Sequence, residues 1–366
     1  MPDGADIVVI GAGPAGSVAA IEALRAGLGK VLVLDKADLG RPKPCGGGIS
    51  PGARKVFQEL GLWEKIEPFA YPINGLRLES PSGAEMRIAG AATANVLNRC
   101  QLDRILMQAA IDAGVSFMPR KLAVGLVFEG QRVVGVRLEN EIIKAGWVIL
   151  AGGALPGRRL RFYKARTMNT CLTRFEGLPF DPHIVEMIYD SALLPGYGWL
   201  FPESASLVNI GICLDSRKRA GHSTRQIFEC FLQRHFSERL ACAKRISPTR
   251  GHPISSCPWI RHSAPDGVLM VGEACDLVNP ATGEGIFYAV QSARLAVRAL
   301  RMSTNRKLDA KKTAALYLGS LRRTFAARLL AAELFNLLGV KTLDAAARLG
   351  GFSVVNRLCG MTMSRL

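Results

Sequence analysis

The stretch DIVVIGAGPAGSVAAIEALRAGLGKVLVLD, Asp6 to Asp35, decides the fold. Asp6 to Ile10 is a short apolar run ending at a glycine, which reads as a buried strand of a parallel sheet. Gly11, Gly13 and Gly16 then form G-x-G-x-x-G, Ser17 to Ala26 reads as a helix, and Val31 to Asp35 as a second apolar strand. This order makes one βαβ unit. Within it the first glycine permits a tight turn, the second lets backbone approach a pyrophosphate, and the third allows the helix to pack closely. The helix N-terminus turns its partial positive charge toward the phosphates. Asp35 stands 19 residues after Gly16, where a carboxylate can accept the hydrogen bonds of a ribose hydroxyl. The candidates for holding a dinucleotide are therefore Gly11, Gly13, Pro14, Ala15, Gly16, Asp35 and Lys36 beside it. A glycine-rich turn without a ligand is the blander reading, and the strand–turn–helix context weighs against it.

Working outward, WVILA at 147–151 ends in glycines, and VLMVG at 268–272 leads to a turn and a helix beginning near Gly283. Both have the apolar character of buried parallel strands, so one sheet is assembled from distant segments. Residues near 70–95 and 165–250 alternate short apolar runs with Pro and Gly, as a sheet-based second domain would. From about 302 the chain lacks Pro and is rich in Ala, Leu, Lys and Arg, which predicts helices. The fold class expected is α/β, with a Rossmann-like domain, an interleaved sheet-based substrate domain and C-terminal helices. The expected ranges are 1–70, 96–165 and 251–301 for the first, 71–95 and 166–250 for the second, and 302–366 for the helical segment.

Lys and Arg outnumber Asp and Glu by 47 to 30, a net charge of +17 that favours anionic partners. From Arg294 onward 14 basic residues face only Asp309, Glu333 and Asp344. Within that segment AARLLAAELFNLLGV, 326–340, carries Leu329, Leu330, Leu334, Leu337 and Leu338 at helical spacing. Packing against the protein's own domain is the favoured reading, and contact with an anionic membrane surface the alternative. No nucleic-acid module is legible, so no nucleic-acid partner is expected. The nine cysteines include no C-x-x-C pair, and the five histidines show no metal-ligand spacing, so no metal is expected. No serine-nucleophile triad is expected either. Reduced thiols, the absence of a legible signal peptide and the shortness of the uncharged stretches predict a cytoplasmic protein, soluble or peripheral to a membrane.

Four further segments carry a family resemblance. Gly267 to Ala289, GVLMVGEACDLVNPATGEGIFYA, resembles the second FAD fingerprint of the para-hydroxybenzoate hydroxylase-like flavoproteins. Glu273 stands where those proteins usually carry the aspartate that binds the ribityl chain. Lys43 to Ile49, KPCGGGI, is similar to the P-C-G-G-G-(L/I) element of geranylgeranyl reductases. Tyr197 to Pro202, YGWLFP, followed by Gly211, resembles that family's Y-x-W-x-F-P…G-x-G substrate motif, with Cys213 in place of the last glycine. Arg99 and Asp103 match its arginine four residues before an aspartate at a helix start.

The resemblance implies an FAD-dependent reductase that delivers hydride to a double bond of an isoprenoid or lipid-like chain. Its reductant is NAD(P)H, ferredoxin or another donor. FAD would be held by the first motif together with Cys45, Gly46, Gly47, Arg99, Gly272, Glu273, Pro280, Gly283, Gly285 and Ile286. The last four, in a turn before a helix, would stabilise negative charge on a flat reduced ring. Cys45, Tyr197 and Trp199 are the catalytic candidates, Cys45 and Tyr197 because a thiol or phenol can supply a proton. Gly48, Tyr197, Trp199, Phe201 and Pro202 are the substrate-binding candidates. Tyr197, Trp199 and Phe201 alternate and would share one face of a strand as an aromatic wall. The same residues also suit an inert packed cysteine and ordinary core packing. Flavin monooxygenases of the superfamily often carry Asp-Gly after the strand at 147–151. Here the segment is Ala151-Gly152-Gly153-Ala154, a departure that argues against direct reduction by NADPH. Arg158, Arg159, Arg161, Lys164 and Arg166 follow, read as a solvated basic loop or a site for a phosphate. Monooxygenase or halogenase chemistry, electron transfer, and FAD binding without catalysis are the alternative readings of the scaffold.

Overall fold

The structure, a computed structural model, describes residues 4–154, 160, 162, 166–217, 221–260 and 264–339. It divides into two compact units, one from residues 1–42, 100–166 and 255–330, the other from 43–99, 167–254 and 331–366.

The first unit is built on a seven-stranded sheet. Strands Ser116–Met118, Val31–Leu34, Gly4–Ile10 and Ile142–Leu150 lie side by side in parallel, with Val268–Met270 parallel to the last of them. Arg132–Arg137 and Gly125–Glu129 extend it antiparallel. Val8, Val9, Val33, Leu34, Val148 and Ile149 are fully covered, as expected of parallel strands with helices over them. The helix after the first strand spans Pro14–Arg25, three residues earlier than the apolar pattern suggests. Proline at the first helical position has its φ already set and lacks an N–H that would go unpaired, so the glycine motif itself opens the helix. Helix Ile286–Arg306 packs against this helix within the unit. Helix Ala310–Leu334 belongs here up to Leu330, whereas the sequence reading set everything beyond 302 apart. Its buried residues explain why: Tyr317, Leu321, Phe325 and Leu329 recur every four residues on one face, and Tyr317 donates its phenolic hydrogen to the Met270 carbonyl at 2.7 Å.

The second unit carries a nine-stranded sheet in the order Lys244–Arg245, Thr167–Glu176, Leu207–Asp215, Gly198–Pro202, Ile184–Ile188, Tyr71–Glu79, Glu85–Val96, Gly48–Ile49, with Arg250–Ser255 also on Thr167–Glu176. All its named pairings are antiparallel except that of Ile184–Ile188 with Tyr71–Glu79. The unit starts at residue 43, earlier than the boundary at 71 read from sequence, because Gly48 and Ile49 pair with Val96 and Asn95. Helix Thr224–Leu240, opened by a capping box of Ser223 and Gln226, lays Phe228, Phe231, Leu232 and Phe236 on one face of the sheet against Leu200, Ile210, Ile212 and Leu214.

Candidate functional site

In the first unit most of the ligand-facing groups are backbone. Gly11 has φ +110°, and a Cβ there would stand 2.5 Å from the Ala151 carbonyl oxygen. At Gly16 it would stand 1.8 Å from the Gly11 oxygen. Neither position admits a side chain. The helix they open has Gly13 as its cap residue with no side chain bonding its first N–H groups, so these donors stay available to a ligand. Asp35 is buried. It accepts from the Ala12 N–H at 2.8 Å through Oδ2 and from the Ala37 N–H at 2.9 Å through Oδ1, and Arg41 approaches it at 3.6 Å. Each oxygen keeps a further lone pair for a ribose hydroxyl. Lys36 next to it is exposed.

The second fingerprint reaches the first through Gly272. With φ +59°, it is so placed that a Cβ would lie 3.3 Å from the Ala15 side chain and 3.2 Å from Ala289. The Gly272 N–H donates to Ser292 Oγ at 2.8 Å. Glu273 follows, and its Oε1 accepts the Ser255 N–H at 3.0 Å. The longer carboxylate is thus tied back to the chain on one oxygen. Pro280 is buried, Gly283 has φ +67°, and Gly285 caps a helix that begins at Ile286. The turn is shaped by Asn279, which the sequence reading missed: its Oδ1 accepts from the N–H groups of Ala281 and Thr282. The Gly283 N–H donates to the Asn279 carbonyl, and the Asn279 N–H to that of Glu284. No side chain caps this second helix either, so its first-turn donors are also open to an anionic or electron-rich group. Two uncapped helix N-termini joined through Gly272, together with a buried carboxylate, fit FAD.

The second unit gathers side chains instead. Tyr197, Trp199 and Phe201 do share a face, while Gly198 and Leu200 point to the other, where Gly198 lies against Phe231. Ring centroids are 6.2 Å apart for Tyr197 and Trp199 and 6.3 Å for Trp199 and Phe201. The face is an apolar cluster with Leu78, Met86, Met168, Met187, Tyr189 and Cys213, and Phe335 from the C-terminal segment packs on it. Tyr197 and Trp199 are buried within it, and Phe201 is half-buried. Gly211 is the cross-strand partner of Trp199, and a Cβ on it would fall 2.3 Å from the indole, so this glycine makes room for the ring. Cys213, beside Tyr197, donates its N–H to the Tyr197 carbonyl. Burial pushes its thiol up to about 12. Burial likewise raises the Tyr197 phenol far above its ordinary value, with Cys213, Tyr189 and Cys45 adding to the effect.

The KPCGGGI loop meets this cluster inside the same unit. A Cβ on Gly46 would stand 2.9 Å from the Phe201 ring, and one on Gly48 would stand 3.5 Å from it. Gly47, at φ +79°, donates its N–H to Cys45 Sγ at 3.4 Å and accepts from the Leu97 N–H at 2.9 Å. Cys45 is half-buried. The two motifs, separated by some 150 positions, form one surface. Arg99 and Asp103 are both buried at the start of helix Arg99–Asp112. Of the basic run after 157, only Arg166 lies among the described residues. Among the described residues no group of three or more His, Cys, Asp or Glu could hold a metal ion.

The fold and site define an FAD-binding oxidoreductase. Consistent with this, residues 4–155 match the FAD binding domain family. The menaquinone reductase of Mycobacterium tuberculosis (strain H37Rv) is 32% identical over 325 residues, spanning 81% of this chain and 77% of the relative. The digeranylgeranylglycerophospholipid reductase 2 of Methanopyrus kandleri is 30% identical over 305 residues, 80% of this chain and 75% of the relative. A geranylgeranyl bacteriochlorophyll reductase-like protein from Thermoplasma acidophilum superposes with a TM-score of 0.82 at 24% identity, covering 94% of this chain and 90% of its own. A flavin-dependent brominase shares the same fold, with a TM-score of 0.81 at 20% identity over 97% and 93% of the chains. The chain belongs to the geranylgeranyl reductase family of FAD-dependent oxidoreductases.

Proposed function

We propose that the protein reduces carbon–carbon double bonds of an isoprenoid chain. The observation that carries the reading is the packing of Gly46 and Gly48 of the KPCGGGI loop on Phe201 of the aromatic wall, which sets a thiol beside an apolar surface. The names of the relatives, reductases of menaquinone and of a digeranylgeranyl lipid, agree with such a substrate. FAD, when bound and reduced, supplies the hydride that one alkene carbon receives. Phe201, with Trp199 and the adaptable Met86, Met168 and Met187 behind it, offers an apolar bed that can mould to a branched chain. The second alkene carbon needs a proton. Tyr197 holds its own tightly, because burial disfavours the phenolate. Cys45 is the donor on this reading: it is partly exposed, and the Gly47 N–H donates to its sulfur and holds the thiol in place.

Arg99 and Glu273 serve the cofactor in this proposal, the first through its planar guanidinium at the pyrophosphate and the second through its carboxylate. Among the described residues no helix is long and apolar enough to cross a membrane. We place the protein at a membrane surface through Leu330, Leu334 and Leu337, which are exposed near the end of their helix with the exposed Arg322 and Arg323 preceding them. Leu329 is instead buried, and the Leu338 side chain and Val340 lie outside the described residues. Sedimentation with anionic vesicles, lost in Leu334→Glu, checks this placement.

The test of the reaction is anaerobic stopped-flow of the chemically reduced protein mixed with geranylgeranyl compounds, menaquinone and aromatic acids. Flavin reoxidation by a prenyl compound, with a saturated product, establishes the reductase reading. Reoxidation by oxygen alone replaces it with monooxygenase or halogenase chemistry.

A further inference from the structure

Asn209 lies on strand Leu207–Asp215 opposite Phe201, and none of its surface is exposed. A buried amide is costly unless its bonds are filled. Here three of them are. Oδ1 accepts the Trp199 indole N–H at 3.0 Å. Nδ2 donates to the Cys45 carbonyl at 3.1 Å and to Glu203 Oε1 at 3.2 Å. The Glu203 side chain is itself buried, and its other oxygen accepts from Arg174 Nε at 2.7 Å. A carboxylate and a carbonyl can only accept and an indole can only donate, so the partners fix which way the amide points. No other uncharged side chain of this size accepts from one neighbour while donating to two.

We propose that Asn209 is a positioning residue of the reaction: it clamps the Cys45 loop and the Trp199 ring into one rigid group, so that the thiol and the apolar wall meet a bound chain in a single geometry. The proposal rests on the reading that Cys45 and Trp199 act on an isoprenoid chain. Glu203 and Arg174 form the outer brace. They hold the amide so that its second hydrogen points at the Cys45 carbonyl. The clamp joins residues 164 positions apart in the chain, and the glycines beside Cys45 give the loop no stiffness of their own.

The test uses FAD-loaded full-length protein with Asn209→Ala and Asn209→Asp. Flavin content, thermal melting, anaerobic reoxidation by a prenyl compound that oxidises the wild type, and the alkylation rate of Cys45 read by peptide mass spectrometry are measured. Asn209→Ala is expected to keep FAD, to alkylate at Cys45 severalfold faster, and to reoxidise about 10²-fold more slowly with little change in substrate affinity. Asn209→Asp has no hydrogen to give Cys45 when ionised, and it faces Glu203 as a like charge. Protonation restores a donor. Its reoxidation rate relative to wild type should therefore climb as pH falls from about 8 to about 6, burial and Glu203 both favouring the neutral acid.

A folded, FAD-loaded Asn209→Ala with wild-type reoxidation and wild-type Cys45 alkylation overturns the proposal. Where that variant does not fold, an Asn209→Asp protein with a pH-independent ratio to wild type and unchanged alkylation overturns it instead. A wild type that no prenyl compound reoxidises sinks the functional reading. The alkylation rates still decide whether the clamp exists.

Discussion

In the first unit the groups that face a ligand are mostly backbone, with the Asp35 carboxylate beside them, and in the second they are mostly side chains. Gly11 and Gly16 leave no space for a Cβ because other backbone lies against them, and two helices present N–H groups that no side chain caps. Tyr197, Trp199, Phe201 and Asn209 are instead set by one another, by Gly211 behind the indole and by the loop of Cys45. The contrast follows from the ligands. A pyrophosphate is recognised by fixed dipoles, which any sequence with the right glycines supplies. An apolar chain has no dipole to grip, so shape and a few polar anchors must select it.

Replacing Gly16 attacks the backbone kind of site at its tightest point. Gly16→Val should abolish FAD retention, because its Cβ cannot coexist with the Gly11 carbonyl 1.8 Å away. Flavin absorbance of the purified variant checks this, and a yellow protein would show that the turn is not what holds the cofactor. The matching attack on the second unit is Gly211→Val, whose Cβ meets the Trp199 ring at 2.3 Å. A side chain can move where a carbonyl cannot. This variant should keep its flavin, lose about 1–3 kcal/mol of stability as overpacking does, and lose turnover more than it loses melting temperature. Equal loss of flavin in both variants would erase the distinction.

The same contrast governs what could be read from sequence. The glycine motif was legible because its demands are local: a positive φ at Gly11, a close contact between Gly16 and Gly11, and a proline suited to open a helix. The second fingerprint and the aromatic alternation of Tyr197, Trp199 and Phe201 were legible for similar reasons. Asn209, Glu203, Arg174 and Asn279 were not. A buried amide carries no periodic signal, and the Cys45 carbonyl lies 164 positions away. The only trace was a polar residue inside the otherwise apolar run LVNIGICL, 207–214. The start of the second unit escaped because Gly48–Ile49 is a strand of two residues, too short to show alternation. The long helix at 310–334 was placed apart because its face of Tyr317, Leu321, Phe325 and Leu329 names no partner until Met270 is seen beneath it.

A smaller effect separates shape from polarity inside the second unit. Trp199→Phe keeps an aromatic ring against Gly211 but removes the N–H that Asn209 Oδ1 accepts, leaving a buried acceptor unpaired. The expected cost is about 1–3 kcal/mol in urea unfolding. Asn209→Leu in the same background should return part of it, since an apolar group then replaces the orphaned amide. A double variant less stable than Trp199→Phe alone would mean that the bond to the Cys45 carbonyl outweighs the one to the indole.

The smallest effect concerns charge behind the same sheet. His235 lies between Glu79, 3.4 Å from its Nδ1, and Asp190, 2.9 Å from its Nε2, with Arg234 also on Asp190 at 2.5 Å. Hydrogen bonding to Glu79 raises the imidazole above its ordinary value, burial works against the shift, and Asp190 adds to it. Asp190 itself is lowered: burial opposes that, and the Ala192 N–H, His235 and Arg234 outweigh burial. A raised histidine binds its proton more tightly folded than unfolded. Its contribution is thus complete below the unfolded value near 6.5 and fades as pH rises through the higher folded value. Wild type should exceed His235→Gln by about 1 kcal/mol in mildly acidic urea titrations, and the gap should narrow in alkaline ones. A gap that widens with pH would mean that the imidazole is neutral in the fold and donates from one nitrogen only. At the glycine turn of the FAD-holding unit Gly11 and Gly16 act through space and backbone alone, without titrating. Flavin retention should therefore stay level across the interval in which the His235 contribution disappears.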